Sequence, residues 1–282
     1  MSPAPDHAAP RAGSHLHYAV LASGSRQAAS RAWVQWWHDV SRIPVDVSDP
    51  TVADRKLLWW QQAVSDAFDA PPQHPLLRAL AGPDGRLTGP PRALWLEQLE
   101  GLRLLTQQTR WLDTPLLAHH ARQTTGAATE GWARLLGAAD AATHGVARDM
   151  GVALRWGHVL LRLAQDTRKG WLHIPIDHLQ AHDVRAHELL RPAASDGTPP
   201  AIAALLDAWK QETDRQWRAA EIAAVGLDGT ERRALRPLVV LGRLQSALLA
   251  DLAVQGYPVL HQRVTLGPWR KLWISQLTTW RW

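Results

Sequence analysis

The feature that most constrains the fold of this chain is its helical periodicity. Apolar residues recur at spacings of three and four along most of the sequence, within segments dominated by Ala, Leu, Arg and Gln. The strict alternation of apolar and polar residues that marks a half-buried strand is nearly missing. The sequence therefore predicts an all-α protein.

Proline and turn signals divide this helical pattern. A first helix is predicted over residues 26–42 and is expected to end at Pro44, because proline lacks the backbone N–H that a helix needs. Asp49 and Pro50 are the N-cap and first residue expected of a second helix. Residues 167–175 are predicted to be extended, and residues 195–200 to form a loop. The later helices are predicted at about residues 92–108, 115–136, 138–166, 201–224 and 230–255.

One domain accounts for the 282 residues, since no linker separates blocks of different composition. Residues 1–14 are rich in Pro, Ala and Ser and lack the apolar stretch of a secretion signal, so we predict a disordered tail followed by one domain over 15–282. No run of roughly 18 uncharged apolar residues predicts a membrane-spanning helix. The expected location is the cytoplasm, with peripheral contact at a membrane as an alternative.

The charge of the chain is +5, and nearly all of its cations are Arg, since Lys occurs four times. Such a charge suits nucleic acid, an anionic membrane or a phosphorylated ligand. The Arg residues are scattered, which argues against nucleic acid as a partner. Cys is absent, which excludes disulfides and thiolate chemistry.

Two segments resemble a known family. The first begins at Asp166 and reads DTRKGWLHIPIDHL, similar to the family pattern D-x-R-x-G-x-x-Y-[IL]-P-x-E-x-L. The second begins at Gly256 and reads GYPVLHQRVTL, followed by RKLW, similar to G-Y-D-V-L-x-x-R-V-x-L and K-L-W. Weaker similarities extend from Tyr18 to Trp273. Together with the two segments, they make the chain resemble the squalene/phytoene synthase family. That resemblance implies a single-domain helical bundle of the isoprenoid-synthase type with a central cavity.

The family joins two prenyl diphosphates head to head, and two facing helices with paired D-x-x-x-D acids hold Mg²⁺ against the diphosphate. This sequence departs from both motifs. The second motif aligns with residues 162–166, where Arg162 replaces the first acid and only Asp166 remains; the preceding Asn is His158. The first aligns with residues 41–45, which contain Arg42 and no acid, preceded by His38.

The absence of paired acids does not depend on the alignment. Of the 26 acidic residues, no two lie four positions apart anywhere in the chain. The missing acid pairs therefore predict no metal site, and no cofactor unless an atypical synthase uses Mg²⁺. A metal site built from histidines (His38, His119, His120 and His158) is an alternative that the sequence does not favour; His119 or His120 stands where the family has a Tyr.

Two interpretations of the substituted Arg residues remain open. Arg42 and Arg162 either bind a phosphate or lipid headgroup without metal, or pair with nearby acids, as Arg162 would with Asp166 one turn later. The predicted ligand- or phosphate-binding residues are Arg42, Arg162, Asp166, Arg168, His38 and His158. No catalytic residue is predicted beyond Asp166, the one remaining motif acid.

Tryptophan is unusually frequent, with 16 copies. Trp33, Trp36, Trp37, Trp59, Trp60, Trp132 and Trp156 are expected either to line an isoprenoid cavity or to pack in the core. The C-terminal tryptophans resemble a membrane-surface segment, from which Trp273 is excluded because the family landmark there suggests ordinary packing.

The favoured function is a family member that has lost Mg²⁺-dependent prenyl transfer and acts as an isoprenoid- or lipid-binding protein or in assembly with a protein partner. This is an analogy with the mitochondrial complex I assembly factors, which resemble phytoene synthases. The alternative is an active prenyl-diphosphate synthase in which Asp166, Arg162 and Arg168 handle the diphosphate. A nucleic-acid binder is the third hypothesis.

Overall fold

The computed structural model describes residues 10–191, 197–260 and 264–282, and within these ranges the protein is built from helices, with two isolated β-bridges and no named strand. The all-α prediction is confirmed. The helices are α1 (His15–Leu21), α2 (Gln27–Asp46), α3 (Pro50–Ala67), α4 (Pro75–Arg78), α5 (Arg92–Leu104), α6 (Thr114–Ala121), α7 (Ala127–Leu135), α8 (Ala141–Thr167), α9 (Ile176–Ala181), α10 (Ala186–Leu190), α11 (Pro200–Val225), α12 (Gly229–Ala234), α13 (Arg236–Val254) and α14 (Pro268–Arg281).

The start of α3 follows its local signal, and two helix boundaries near prolines are exceptions. The Asp49 carboxylate caps α3 by accepting from the backbone N–H of Thr51 and Val52, as its position before Pro50 predicts. Pro44, however, does not end α2: the helix continues to Asp46. Proline costs a helix one backbone hydrogen bond, and the packed α2 tolerates that loss near its end.

The second exception lies between α12 and α13, where one predicted helix is two. The chain breaks at Leu235, just before Pro237, which is the second residue of α13. By contrast, α6 and α7 form one helical run as predicted, because residues 122–126 between them keep helical geometry as a π turn. Residues 167–175 contain an extended piece in which Leu172 pairs with Arg110 in a β-bridge.

Tryptophan rings fill the centre of the N-terminal half. Trp33, Trp36 and Trp95 are fully buried, and their ring centroids lie 4.3–5.2 Å apart. The Trp33 indole N–H donates to the carbonyl of Ala128 at 3.0 Å. These rings therefore pack against each other as core, whereas Trp59 is 53% exposed and points away from the core.

Helix α8 is the central element of the bundle, packed against α7, α11 and α13, while α2 packs against α3, α5 and α7. Helix α13 is long and apolar enough to cross a membrane, but 61% of its apolar window is buried inside the bundle. It serves as a core helix here.

The C-terminal segment differs from its prediction. It was expected to be a tail in which Trp273 packs in the ordinary way, but it forms helix α14, and Trp273 is 65% exposed. The buried side chains of α14 are instead Ser275 and Thr278. Part of the predicted tail (residues 1–9), of the loop 195–200 and of the motif beginning at Gly256 lies outside the described residues.

Candidate functional site

The candidate site begins with one face of α8. Arg155, His158, Arg162 and Asp166 follow one another at spacings of three, four and four, which places them along one face of the helix. Arg162 Nε lies 3.2 Å from Asp166 Oδ1, so the predicted ion pair one turn apart is present. The face therefore carries two guanidinium groups and one carboxylate.

Arg155 is the member of this face that sequence reasoning missed. Its Nε is buried and has no hydrogen-bond partner among the described residues. Burial lowers the pKa of Arg155, and the charge of Asp166 opposes that effect. The signal was in the sequence, because Arg155 continues the three–four spacing of the motif residues one turn towards the N-terminus of α8.

His173 connects this face to the extended segment after α8. Its Nδ1 accepts a hydrogen bond from the Trp111 indole N–H at 3.1 Å, so a neutral His173 carries its proton on Nε2. That Nε2 lies 3.8 Å from Asp166 Oδ2. His173 occupies the Tyr position of the family pattern D-x-R-x-G-x-x-Y, but its hydrogen bond to a residue 62 positions away could not be read from sequence.

The electrostatics of His173 show how closely the cluster is assembled. Burial lowers its pKa well below the ordinary value, and the charges of Arg155, His120, His158 and Arg162 lower it further. Each of these four side chains is therefore near enough to His173 to affect its pKa. The same burial raises the pKa of Asp166, despite the opposing effect of Arg162.

The structure distinguishes the two candidate histidines of α6. His119 is exposed, whereas His120 is 1% exposed and its ring lies 4.6 Å from the Trp111 ring. His120 Nε2 lies 3.1 Å from the carbonyl of Gly101, while its Nδ1 is buried with no partner in the described structure. Burial lowers the pKa of His120 to about 3, so the ring is neutral near neutral pH.

His158 indicates that open space adjoins the cluster. Its side chain retains accessible surface, yet burial lowers its pKa to about 3, with the charges of Arg155 and Arg162 adding to the effect. His158 is thus close to the charges of the cluster and still accessible. Arg155 likewise keeps part of its surface accessible.

The second group of predicted residues lies on α2. Arg42 pairs with Asp46 one turn later, and His38 Nδ1 lies 3.2 Å from Asp39 Oδ1. Lys169 joins this group to the end of α8, since its Nζ donates to Asp46 Oδ1 at 3.1 Å and to the carbonyl of Val45 at 3.0 Å. Burial would raise the pKa of Asp46, but the bonds from Arg42 and Lys169 outweigh it and lower the pKa.

The predicted residues are thus only partly brought together. Arg162, Asp166 and His158 share the α8 face, and the link through Lys169 brings the α2 end that bears Arg42 beside the end of α8. Arg168 is exposed at the C-cap of α8. The residues that complete the cluster, and that the sequence analysis did not include in its site, are Arg155, His173 and Trp111.

This donor set does not suit Mg²⁺. Magnesium prefers several hard oxygen ligands, usually carboxylates and waters, and the α8 face offers one carboxylate, already paired with Arg162. Across the described residues there is no group of three or more His, Asp or Glu side chains placed to hold a metal ion. The positive and neutral side chains of the cluster suit an anion instead.

Comparison with known proteins places this arrangement in context. The sequence matches squalene/phytoene synthase over residues 12–270. The chain belongs to the squalene/phytoene synthase family. No curated protein matches the sequence significantly.

Solved structures share the family fold. A dehydrosqualene synthase in complex with ligand superimposes with a TM-score of 0.79 at 14% identity, covering 95% of this chain and 91% of that one. Squalene synthase HpnC from Alicyclobacillus acidocaldarius gives a TM-score of 0.69 at 15% identity, covering 86% and 89%. YisP from Bacillus subtilis subsp. subtilis strain 168 gives 0.60 at 16% identity, covering 95% and 90%. At these identities the likeness concerns the fold, and the isoprenoid-synthase-type bundle is confirmed.

Proposed function

We propose that this squalene/phytoene synthase family protein has lost Mg²⁺-dependent head-to-head prenyl transfer and binds the phosphate end of an isoprenoid or other lipid directly. The observation that carries the proposal is Arg155, whose guanidinium stands among Arg162, His158 and His120 with a buried Nε that no described group satisfies. A buried guanidinium N–H without a hydrogen-bond acceptor is costly unless a ligand such as an anion supplies one.

The chemistry of the cluster supports a phosphate. Guanidinium groups bind phosphate oxygens through paired, charge-assisted hydrogen bonds, and such bonds need no metal. Asp166 is already engaged by Arg162 and faces His173, so it neither repels the anion strongly nor is free to hold a cation. The neutral histidines add hydrogen-bonding nitrogens without adding charge.

The second candidate function is an active prenyl-diphosphate synthase with an atypical site. The observation in its favour is the shared fold with a dehydrosqualene synthase over 95% of this chain, together with the retained Asp166. In that case Arg162 and Arg168 would neutralise the leaving diphosphate and Asp166 would take part in Mg²⁺ binding.

Binding and turnover separate the two functions. Titration calorimetry with a thio-analogue of farnesyl diphosphate, in EDTA and again in Mg²⁺, is expected to give equal affinity under both conditions. Arg162→Met is expected to weaken binding at least about tenfold, since it removes a charged hydrogen-bond donor. The control Arg122→Met removes an exposed Arg that pairs with Asp149, and it should leave the affinity unchanged.

Two results would contradict the metal-free function. Binding that requires Mg²⁺, or steady release of pyrophosphate from farnesyl or geranylgeranyl diphosphate with Mg²⁺, would establish the synthase and reject the metal-free function. Arg42→Ala provides a second test of the phosphate site: retained affinity in this variant would remove Arg42 from it and limit the site to α8.

We further propose that the protein is cytoplasmic and that its binding activity serves protein assembly in the cell. A protein partner would be retained on immobilised protein whether or not the phosphate site is intact. Salt-sensitive retention of DNA or RNA would instead support the nucleic-acid hypothesis.

A further inference from the structure

Helix α14 presents its apolar side outward. Trp269, Trp273, Leu277 and Trp280 are 77%, 65%, 42% and 82% exposed. At about 100° per residue these four side chains fall within an arc of about 80°. Together they form the Trp face of α14. Amphipathic helices of globular proteins normally bury such a face.

The opposite side of α14 explains how the helix is held in this orientation. Ser275 and Thr278 are buried, and each hydroxyl donates to the carbonyl one turn earlier, at 2.6 and 2.7 Å. Both hydroxyls are therefore satisfied within the helix. The side of α14 that carries these small residues can then pack on α13 and α1 without leaving a buried donor unpaired.

Two basic side chains fasten this hidden side to the body of the protein. The Lys271 ammonium donates to the carbonyl of Gly13 at 3.0 Å. The Arg243 guanidinium lies over the Trp282 ring at 5.7 Å. The Trp face is consequently held outward by packing on its other side.

The charge around the Trp face indicates what covers it. Helix α14 contains Arg270, Lys271 and Arg281 and no acidic residue, and the last acid of the chain is Asp251. Arg270 pairs with that acid, while Arg281 is exposed along the same edge of the helix. A second copy of α14 would bring like charges together, whereas an anionic surface complements them.

We propose that the Trp face of α14 docks on an anionic lipid surface. Trp has an apolar body and one N–H donor, which suit the headgroup level of a bilayer, and flanking Arg or Lys adds attraction to anionic lipids. The helix lies in the plane of the membrane surface and does not cross it. This docking goes beyond the proposed phosphate site and does not depend on it.

Vesicle binding tests the proposal without any added isoprenoid. In flotation with vesicles of phosphatidylcholine containing phosphatidylglycerol, the wild-type protein is expected to bind, more weakly at high salt and on phosphatidylcholine alone. The triple variant Trp269→Gln, Trp273→Gln, Trp280→Gln is expected to lose at least about tenfold in partition coefficient, because its apolar insertion is gone. The control Ile222→Gln, Val225→Gln changes exposed apolar residues of α11 and should bind as wild type does.

Several outcomes would overturn the proposal. Absence of wild-type binding, or equal binding by the triple variant, would reject a lipid surface. Light scattering provides a further test: a wild-type dimer that the triple variant converts to monomer, with no vesicle binding, would assign the Trp face to a second copy. Circular dichroism confirms that the variants stay folded, which is expected because the replaced side chains are exposed.

Discussion

Replacing Arg155 with methionine should separate binding from stability. Methionine has a similar length and no polar group, so Arg155→Met removes the unsatisfied buried Nε and the desolvated charge while largely filling the space. It also removes the attraction between Arg155 and Asp166. An unsatisfied buried donor costs about 1–3 kcal/mol. After subtracting the lost attraction to Asp166, we expect the free energy of unfolding to rise by about 1 kcal/mol.

The matched control lies two turns earlier on the same helix. The Arg148 guanidinium donates to both oxygens of Glu97, at 2.6 and 2.7 Å, and also bonds Glu130. Because Arg148→Met leaves Glu97 without its partner and takes one of two Arg partners from the buried Glu130, which keeps Arg134, it should cost about 3 kcal/mol. Two Arg→Met changes on α8 are therefore expected to have opposite effects on stability.

Thermal unfolding by circular dichroism and calorimetric titration measure the two effects. For a chain of this size about 1 kcal/mol corresponds to a shift in Tm of about 2–4 °C, so Tm should rise slightly in Arg155→Met and fall by about 6 °C or more in Arg148→Met. Affinity for the thio-diphosphate probe should fall at least about tenfold in Arg155→Met. A Tm loss in Arg155→Met as large as in Arg148→Met would refute the reasoning, since Arg155 would then be a structural cation.

Two further predictions concern packing and pH. A Cβ added at Gly242 would lie 1.9 Å from the Trp217 ring, whereas one added at Gly145, inside α8, meets nothing within 4 Å; by urea unfolding, Gly242→Ala should lose about 1–3 kcal/mol or more and Gly145→Ala should lose nothing. His120 and His173 are buried and neutral, and their pKa values lie below the ordinary value. As the pH falls, the unfolded chain therefore binds more protons at these two residues than the folded chain does. Their contribution to stability is fully present above about pH 6.5 and is lost as the pH falls towards their folded pKa values. Stability measured from pH 7.5 down to 5 should therefore fall, and His120→Gln should flatten the slope; an unchanged slope would contradict the burial of His120.

Local sequence patterns predicted what local physics controls. The Asp49–Pro50 helix start and the ion pair of Arg162 with Asp166 depend on residues within one turn of each other, and both are present. The same three–four spacing, extended one step, would have included Arg155. The hydrogen bond from Trp111 to His173 depends on tertiary packing between distant segments, so no local pattern could give it.

The orientation of α14 shows a different limit. Periodicity reveals which side of a helix is apolar, but it assumes that the apolar side is buried. Here Ser275 and Thr278 satisfy their hydroxyls within the helix, so the polar side can be buried at little cost and Trp273 is left outside. The family landmark at Trp273 predicted its place in the chain correctly and its environment wrongly.

The two features that were not predicted from the sequence also share a physical property. A poorly satisfied Arg155 in the interior and a Trp face on the surface both cost stability or solubility in the isolated chain. Features of that kind are expected at sites of function. One class of molecule would offset both costs: a phosphorylated lipid offers an anion to the α8 cluster, and the membrane from which it comes offers an anionic apolar boundary to α14. If Arg155→Met keeps its affinity for the thio-diphosphate probe, or if the triple Trp variant keeps its vesicle binding, the link between the two sites fails. The other site still stands, because each site is formed by different residues on different helices.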